Sequence, residues 1–132
     1  MSKALNESLG TVGYDNLFVE NVPVADVVTI KLAKAGVVKR GTVVSGTPGG
    51  ADFAVLAAAA SASKALYVLA EDCDTAEDVV GIAYRTGHFN RNALIVGSGY
   101  ALTAADEETL RKSGILLADA IEYSEEVKNY AF

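Results

Sequence analysis

At 132 residues and 13.7 kDa the chain has the length of one domain and can bury a core of its own. Asp and Glu outnumber Lys and Arg by 17 to 11, for a formal net charge of −6. Phosphate contacts supply most non-specific nucleic-acid affinity, so this acidic balance, with no basic run to offset it, excludes nucleic acid as a partner. Hydrophobic residues make up 51% but Trp is absent, so the core is built from small and β-branched side chains with few large aromatic anchors.

Residues 1–25 follow neither a helical nor a strict strand period and are punctuated by Gly10, Gly13, Asn16, Asn21 and Pro23. The strongest apolar cluster there is Leu17-Phe18-Val19. An irregular terminus with one sticky cluster is expected to be an extended arm that orders against a partner. Its first residues lack the apolar stretch of a signal peptide. From Asp26 the pattern changes: Asp26-Val27-Val28-Thr29-Ile30-Lys31-Leu32 is β-branched and predicts a strand. After a turn at Lys39-Arg40-Gly41, a second strand is expected over Gly41–Ser45, followed by a Pro-Gly loop at Thr47–Gly50. Phe53–Leu56 and Ala65–Ala70 are further strand candidates. The apolar stretch from Ala54 to Ala70 is interrupted by Ser61, Ser63 and Lys64 and falls short of a membrane span, so no membrane partner is expected. An acidic connection leads to the clearest strand of the second half, Asp78–Arg85.

One helix is expected from Leu102 to Gly114. Thr103 is its N-cap, with Asp106 three residues on in a variant capping box. Asp106, Glu107 and Glu108 lie at the positive end of the helix dipole, Arg111 and Lys112 at the negative end, and Gly114 stops it. Ile115-Leu116-Leu117 resumes an apolar run, and the residues after Tyr123 form a polar tail. Short strands with one helix predict a β-rich α+β domain, divided as an arm (1–25), a domain (26–122) and a tail (123–132).

No constellation points to catalysis. His88 is the only histidine, and no Ser, Asp or Cys near it has a catalytic spacing. Cys73 lies between Asp72 and Asp74, and neighbouring carboxylates disfavour the thiolate. Of metal candidates the best is the run Glu71, Asp72, Asp74, Glu77, Asp78. Against a calcium loop beginning at Asp72, however, Ala76 stands where an oxygen ligand belongs and Glu77 where the turn needs Gly. It is read as a solvated loop. Gly46–Gly50 lacks the Lys-Ser/Thr ending of a phosphate loop, and Gly97-Ser98-Gly99 lacks the third glycine of a dinucleotide fingerprint. No catalytic residue, metal or cofactor is expected.

The second half carries an ordered series: Leu69-Ala70-Glu71-Asp72-Cys73-Asp74, the strand Val79–Gly87, His88-Phe89-Asn90-Arg91-Asn92-Ala93-Leu94, then the helix ending in Gly114-Ile115-Leu116-Leu117. Upstream, the strand Val28–Leu32 is followed by Arg40-Gly41-Thr42-Val43. This order resembles the head decoration family of tailed phages, in the group containing the lambda decoration protein, across about residues 26–121. Cys73 stands where that family usually has Val, and His88 where Glu is common. The resemblance implies a small β-tulip or β-barrel-like domain with one short helix and an extended N-terminal arm. It further implies a homotrimer on the outer surface of the expanded head, with the major capsid protein as partner, synthesis in the host cytoplasm and no enzymatic activity. Leu17, Phe18 and Val19 are the expected capsid-binding residues of the arm. The alternatives are another virion subunit, of the tail tube or head completion, and a small metal-binding or enzymatic domain around His88 and the acidic run.

Overall fold

A computed structural model of the chain describes residues 16–20, 23–76 and 79–119. Its strands are β1 (Phe18–Glu20), β2 (Asp26–Lys31), β3 (Val37–Val38), β4 (Val43–Gly46), β5 (Ala54–Val55), β6 (Ala65–Leu69), β7 (Cys73–Asp74), β8 (Val80–Asn90) and β9 (Ile115–Ala118). One 3-10 turn, Arg91–Ala93, and one helix, α1 (Ala104–Lys112), complete it. The chain is therefore an α+β protein dominated by strands, as its pattern predicted.

The long strand β8 organises the rest. Its Ala83 and Tyr84 pair with β2 on one side and β6 on the other, both antiparallel. Further along, His88 and Phe89 pair with β1 and, in parallel, with β9. From β6 the sheet continues through β4 to β5. It then curls back on itself, because Phe53 donates its N–H to Lys31 C=O (3.3 Å) and accepts from Ala33 N–H (2.8 Å). That junction joins the β5 end to β2 and closes one end of a small barrel.

Two apolar cores lie on opposite faces of this curled sheet. Inside the barrel, Ile30, Leu32, Val44, Phe53, Leu69 and Ala83 pack together. On the outer face, Leu17, Val43, Leu56, Leu66, Val68, Phe89, Leu110 and Ile115 form the second core. Neighbouring residues Val43 and Val44, like Val68 and Leu69, enter different cores and are fully buried. A strand covered on both faces carries a continuous apolar run instead of an alternation, which is why β4 and β6 read as unbroken hydrophobic segments. Gly46 lets Phe53 lie flat on β4, since a Cβ there would stand 2.7 Å from the ring.

Helix α1 covers the outer core through Leu110, and its caps form as the sequence required. Thr103 Oγ1 accepts from Asp106 N–H (3.1 Å) while Asp106 returns a bond to Thr103 N–H (2.9 Å). Asp106 does more than cap. Its carboxylate is 1% exposed and also accepts from Ala60 N–H (2.8 Å) and the Tyr100 hydroxyl. One side chain thus ties the 57–60 segment, the Gly97–Tyr100 turn and the helix start together.

Several expectations are corrected. The strand expected over Asp78–Arg85 runs on to Asn90. A register shift opposite Asp26 and Val27, which pair with Thr86 and Tyr84, leaves Arg85 as an extra residue and breaks the two-residue period. The strand expected over Phe53–Leu56 is cut to Ala54–Val55, and the Ala-rich continuation is irregular. In the acidic connection Cys73–Asp74 form β7 against β3, held by buried Thr75, which donates to Gly36 C=O (2.8 Å) and accepts from Ala35 N–H (2.6 Å). Leu17 of the expected arm is 2% exposed in the outer core, and its C=O accepts from Asn90 N–H (2.7 Å). Leu17 and β1 thus pack with the strands that follow. Residues 1–15 and the tail 123–132 lie outside the described residues.

Burial pushes the Asp106 pKa up, but the bonds from Ala60, Tyr100 and Thr103 outweigh it and hold the carboxyl below its ordinary value. Its stabilisation is complete above the unfolded value near pH 4 and is lost as pH falls through the lower folded value. Asp106→Ala, which leaves three part-buried donors without their acceptor, is expected to cost about 2–4 kcal/mol in urea unfolding at pH 7. The gap between variant and parent should narrow towards pH 2; a constant gap would contradict the assignment.

Candidate functional site

Beside the second half of β8, the first described residues and the end of β9 enclose an open groove of about 430 Å³. Phe18, Val19 and Glu20 form one wall, Ala118 and Asp119 the other, with His88 between them and Asn16 at one end. The described chain enters at Asn16 and leaves at Asp119, so both undescribed terminal segments start from the rim of this groove.

The local geometry of β1 follows from its pairing. Phe18 faces Phe89 and Glu20 faces His88, so two steps on β1 correspond to one on β8. Val19 is the extra residue, a bulge of the kind that re-aims side chains at sheet edges. Leu17 faces inward, Phe18 is half-buried, and bulged Val19 is half-exposed on the groove wall. Phe18 is anchored by aromatic contacts, edge-on to Tyr84 (centroids 4.9 Å) and tilted on Phe89 (4.8 Å). The Arg85 bulge makes this possible. It shifts the parity of β8, so that Tyr84 and Phe89, five residues apart, point to the same face with centroids 5.8 Å apart. Gly87 leaves room beneath, where a Cβ would lie 2.8 Å from the Phe89 ring and 3.1 Å from Phe18.

Arg91 fixes the other wall. Its guanidinium donates twice to Glu107 (2.7 and 2.9 Å) and once to Asp119 (2.7 Å). These bonds raise the Arg91 pKa, and they tie α1 to the end of β9. No sequence signal marks this cluster, because its members are brought together only by the parallel pairing of β9 on β8.

The residues weighed for chemistry sit elsewhere. His88 lies in the groove opposite Glu20 and Leu116. Cys73 is half-buried on β7, its thiol donating to Val80 C=O (3.5 Å). Asp72 accepts from Arg40 N–H (2.7 Å) and pairs with Lys39 (3.9 Å), and Asp74 caps Ala76 N–H (3.1 Å). Asp72 and Asp74 are thus engaged in local structure, and Glu77 and Asp78 lie outside the described residues. Among the described residues no group of three or more His, Cys, Asp or Glu converges to hold a metal. Nor is any helix among them long and apolar enough to cross a membrane.

The family described as bacteriophage lambda head decoration protein D matches the chain over residues 10–115. The chain belongs to that family. It is a structural family of phage heads, so membership places the chain at the capsid of the virion. No individual curated protein matches the chain. The family match begins before Asn16 and ends at Ile115, so it takes in β1 and its wall of the groove as well as most of the span that the motif order had covered. For this decoration-family chain the groove is the place where the undescribed N-terminal segment meets the folded domain.

Gly87→Ala is expected to push the Phe18 and Phe89 rings apart and cost about 1–3 kcal/mol, as overpacking does. Thermal unfolding measures the loss, and near-ultraviolet circular dichroism should change with it as the rings move. Unchanged melting would mean the rings are less tightly seated.

Proposed function

We infer that this chain decorates the outer surface of the expanded phage head as trimers at threefold and quasi-threefold positions, in contact with the major capsid protein, and stabilises the shell. The observation that carries the reading is the family match over residues 10–115. The acidic charge of the chain, −6, supports an outer position away from packaged DNA. A head-to-tail interface closes naturally into a three-membered ring. Each ring would present three N-terminal segments at once, multiplying modest contacts through effective concentration.

Within this reading the Leu17-Phe18-Val19 cluster divides its work. Leu17 and Phe18 seat the start of the domain, while bulged Val19 and residues 1–15 meet the capsid, with the segment adding to an exposed capsid sheet edge. Binding only the expanded shell stabilises that state by mass action, by about 2.7 kcal/mol per site at a hundredfold excess over Kd. No catalytic step is part of this role.

Deletion of residues 1–15 should abolish binding to expanded heads while the melting temperature stays within a few degrees of the parent. Val19→Asp should weaken binding at least tenfold with the fold intact. Leu17→Asp, by contrast, should unfold the domain, because it buries an unpaired charge in the outer core. Head binding retained by the deletion variant would remove the arm from the mechanism. Copy number in purified particles tests the wider reading. A ratio to the major capsid protein near one to one supports decoration across the shell, whereas a few copies per particle would point to a tail or completion subunit.

A further inference from the structure

The outer core covers only part of the outer face of the sheet. Ile30 and Ala83 point into the barrel, so by the two-residue period of a strand Thr29, Lys31 and Ile82 point outward. Register sets Lys31 beside Val80, Thr29 beside Ile82 and Val27 beside Tyr84 on that outer face. Tyr84 packs against the outer core, but below it the face is bare: Val27 is 54% exposed, Val80 43% and Ile82 39%. The three form one apolar patch across β2 and β8, and its two flanks carry opposite charge. On the β6 side, where Ala70 N–H donates to Ile82 C=O (2.8 Å), Val80 and Ile82 border a cleft of about 410 Å³. Glu71, Asp72 and Asp74 line that cleft with no basic residue among its walls, and Lys39 offsets Asp72 from outside (3.9 Å). On the opposite flank stands exposed Lys31. Neither Lys31 nor Glu71 makes an ion pair among the described residues. Beyond Lys31 the barrel is open along β2. There the backbone groups of Val27 and Thr29 point away from β8 into a seam of about 300 Å³ beside the Gly49–Ala51 turn, and no strand among the described residues pairs with them.

We propose that neighbouring copies of this chain pack on one another through this face, about an axis running along β8. The Val27, Val80 and Ile82 patches meet at the axis, and Lys31 of each copy enters the Glu71–Asp74 cleft of the next. Charge complementarity selects a second copy as the occupant. A rotation axis parallel to the strands sets one flank of each copy against the opposite flank of its neighbour, so the carboxylates meet Lys31 at every contact. Like flanks never face one another, and a closed ring leaves no charge unmatched. A lysine suits the role, since its ammonium is a compact charge on a flexible stem whose methylenes can lie over apolar surface. Three part-exposed aliphatic side chains make a small apolar centre beside the roughly 800 Å² per partner of a standard stable interface. The contact therefore draws on the effective concentration that copies gain when a head holds them side by side. This inference names the self-contact face within the trimer reading and rests on that reading for the number of copies.

Binding of the full-length chain to expanded heads tests it, with the parent, Lys31→Glu, Glu71→Lys and the double variant K31E/E71K compared side by side. Both side chains are exposed, so the melting temperature of every variant should match the parent's. Each single reversal sets like charges against each other at every contact and should raise the concentration for half-occupancy at least about fivefold. The double variant restores opposite charges with their places exchanged and should return to within about twofold of the parent. Single variants that bind like the parent overturn the proposal. So does a double variant as weak as the two reversals combined, because those charges would then meet the capsid protein and not another copy. A parent that never decorates heads sinks the decoration reading itself, and this inference with it.

Discussion

Hydrogen bonding on both sides of β8 is the constraint from which the rest of this fold follows. A strand that pairs with neighbours on both edges fixes the register of every element that touches it. In β8 the inward positions Gly81 and Ala83 are small, and the Leu32 and Leu69 side chains close over Gly81 at 3.0 and 3.5 Å from where a Cβ would stand. That close approach seals the inside of the barrel. Further along, the Arg85 bulge turns the strand, so Tyr84 and Phe89 reach the outer core together. Without the bulge, residues five apart would point to opposite faces and Phe18 would lose one of its two aromatic partners.

The polar clusters act as ties between elements that the sheet alone would leave loose. Arg40 donates to Ala70 C=O (2.8 Å) and the Tyr84 hydroxyl (2.9 Å), lying over the Tyr84 ring, and so links the turn before β4 to β6 and β8. Asp106 does the same for the helix start, and Arg91 for the end of β9. Each tie is charge-assisted and at least partly shielded, which makes it stronger than an exposed pair and more directional than apolar contact. In a domain without Trp, whose cores consist mainly of Leu and Val, such directional contacts select one packing from several of similar burial.

The same economy bears on a subunit that works on a surface. Its outer core is covered by α1, β1 and β9, and the β1–β9 groove and the barrel seam open at different places on the sheet. The groove stands where residues 1–15 leave the domain, and the seam exposes strand-edge groups.

What the sequence determined by itself was whatever depends on neighbours within one or two turns. The helix was legible because its cap, its charge gradient and its glycine stop all lie within twelve residues. The strands at Asp26–Lys31 and Val43–Gly46 were legible because β-branched residues accumulate there, and Ala65–Leu69 because it is a short apolar run. The order of motifs was enough to identify the family. Tertiary structure alone decided whatever rests on a partner far along the chain. β1, β3 and β7 are two or three residues long and exist only through pairing with distant strands. Leu17 read as a sticky exposed residue because nothing local reveals that Asn90, seventy-three positions on, takes its carbonyl. The two bulges, the Arg91 cluster and the open seam share this origin, since register and closure are set by pairings between distant segments, which a one-dimensional pattern does not contain.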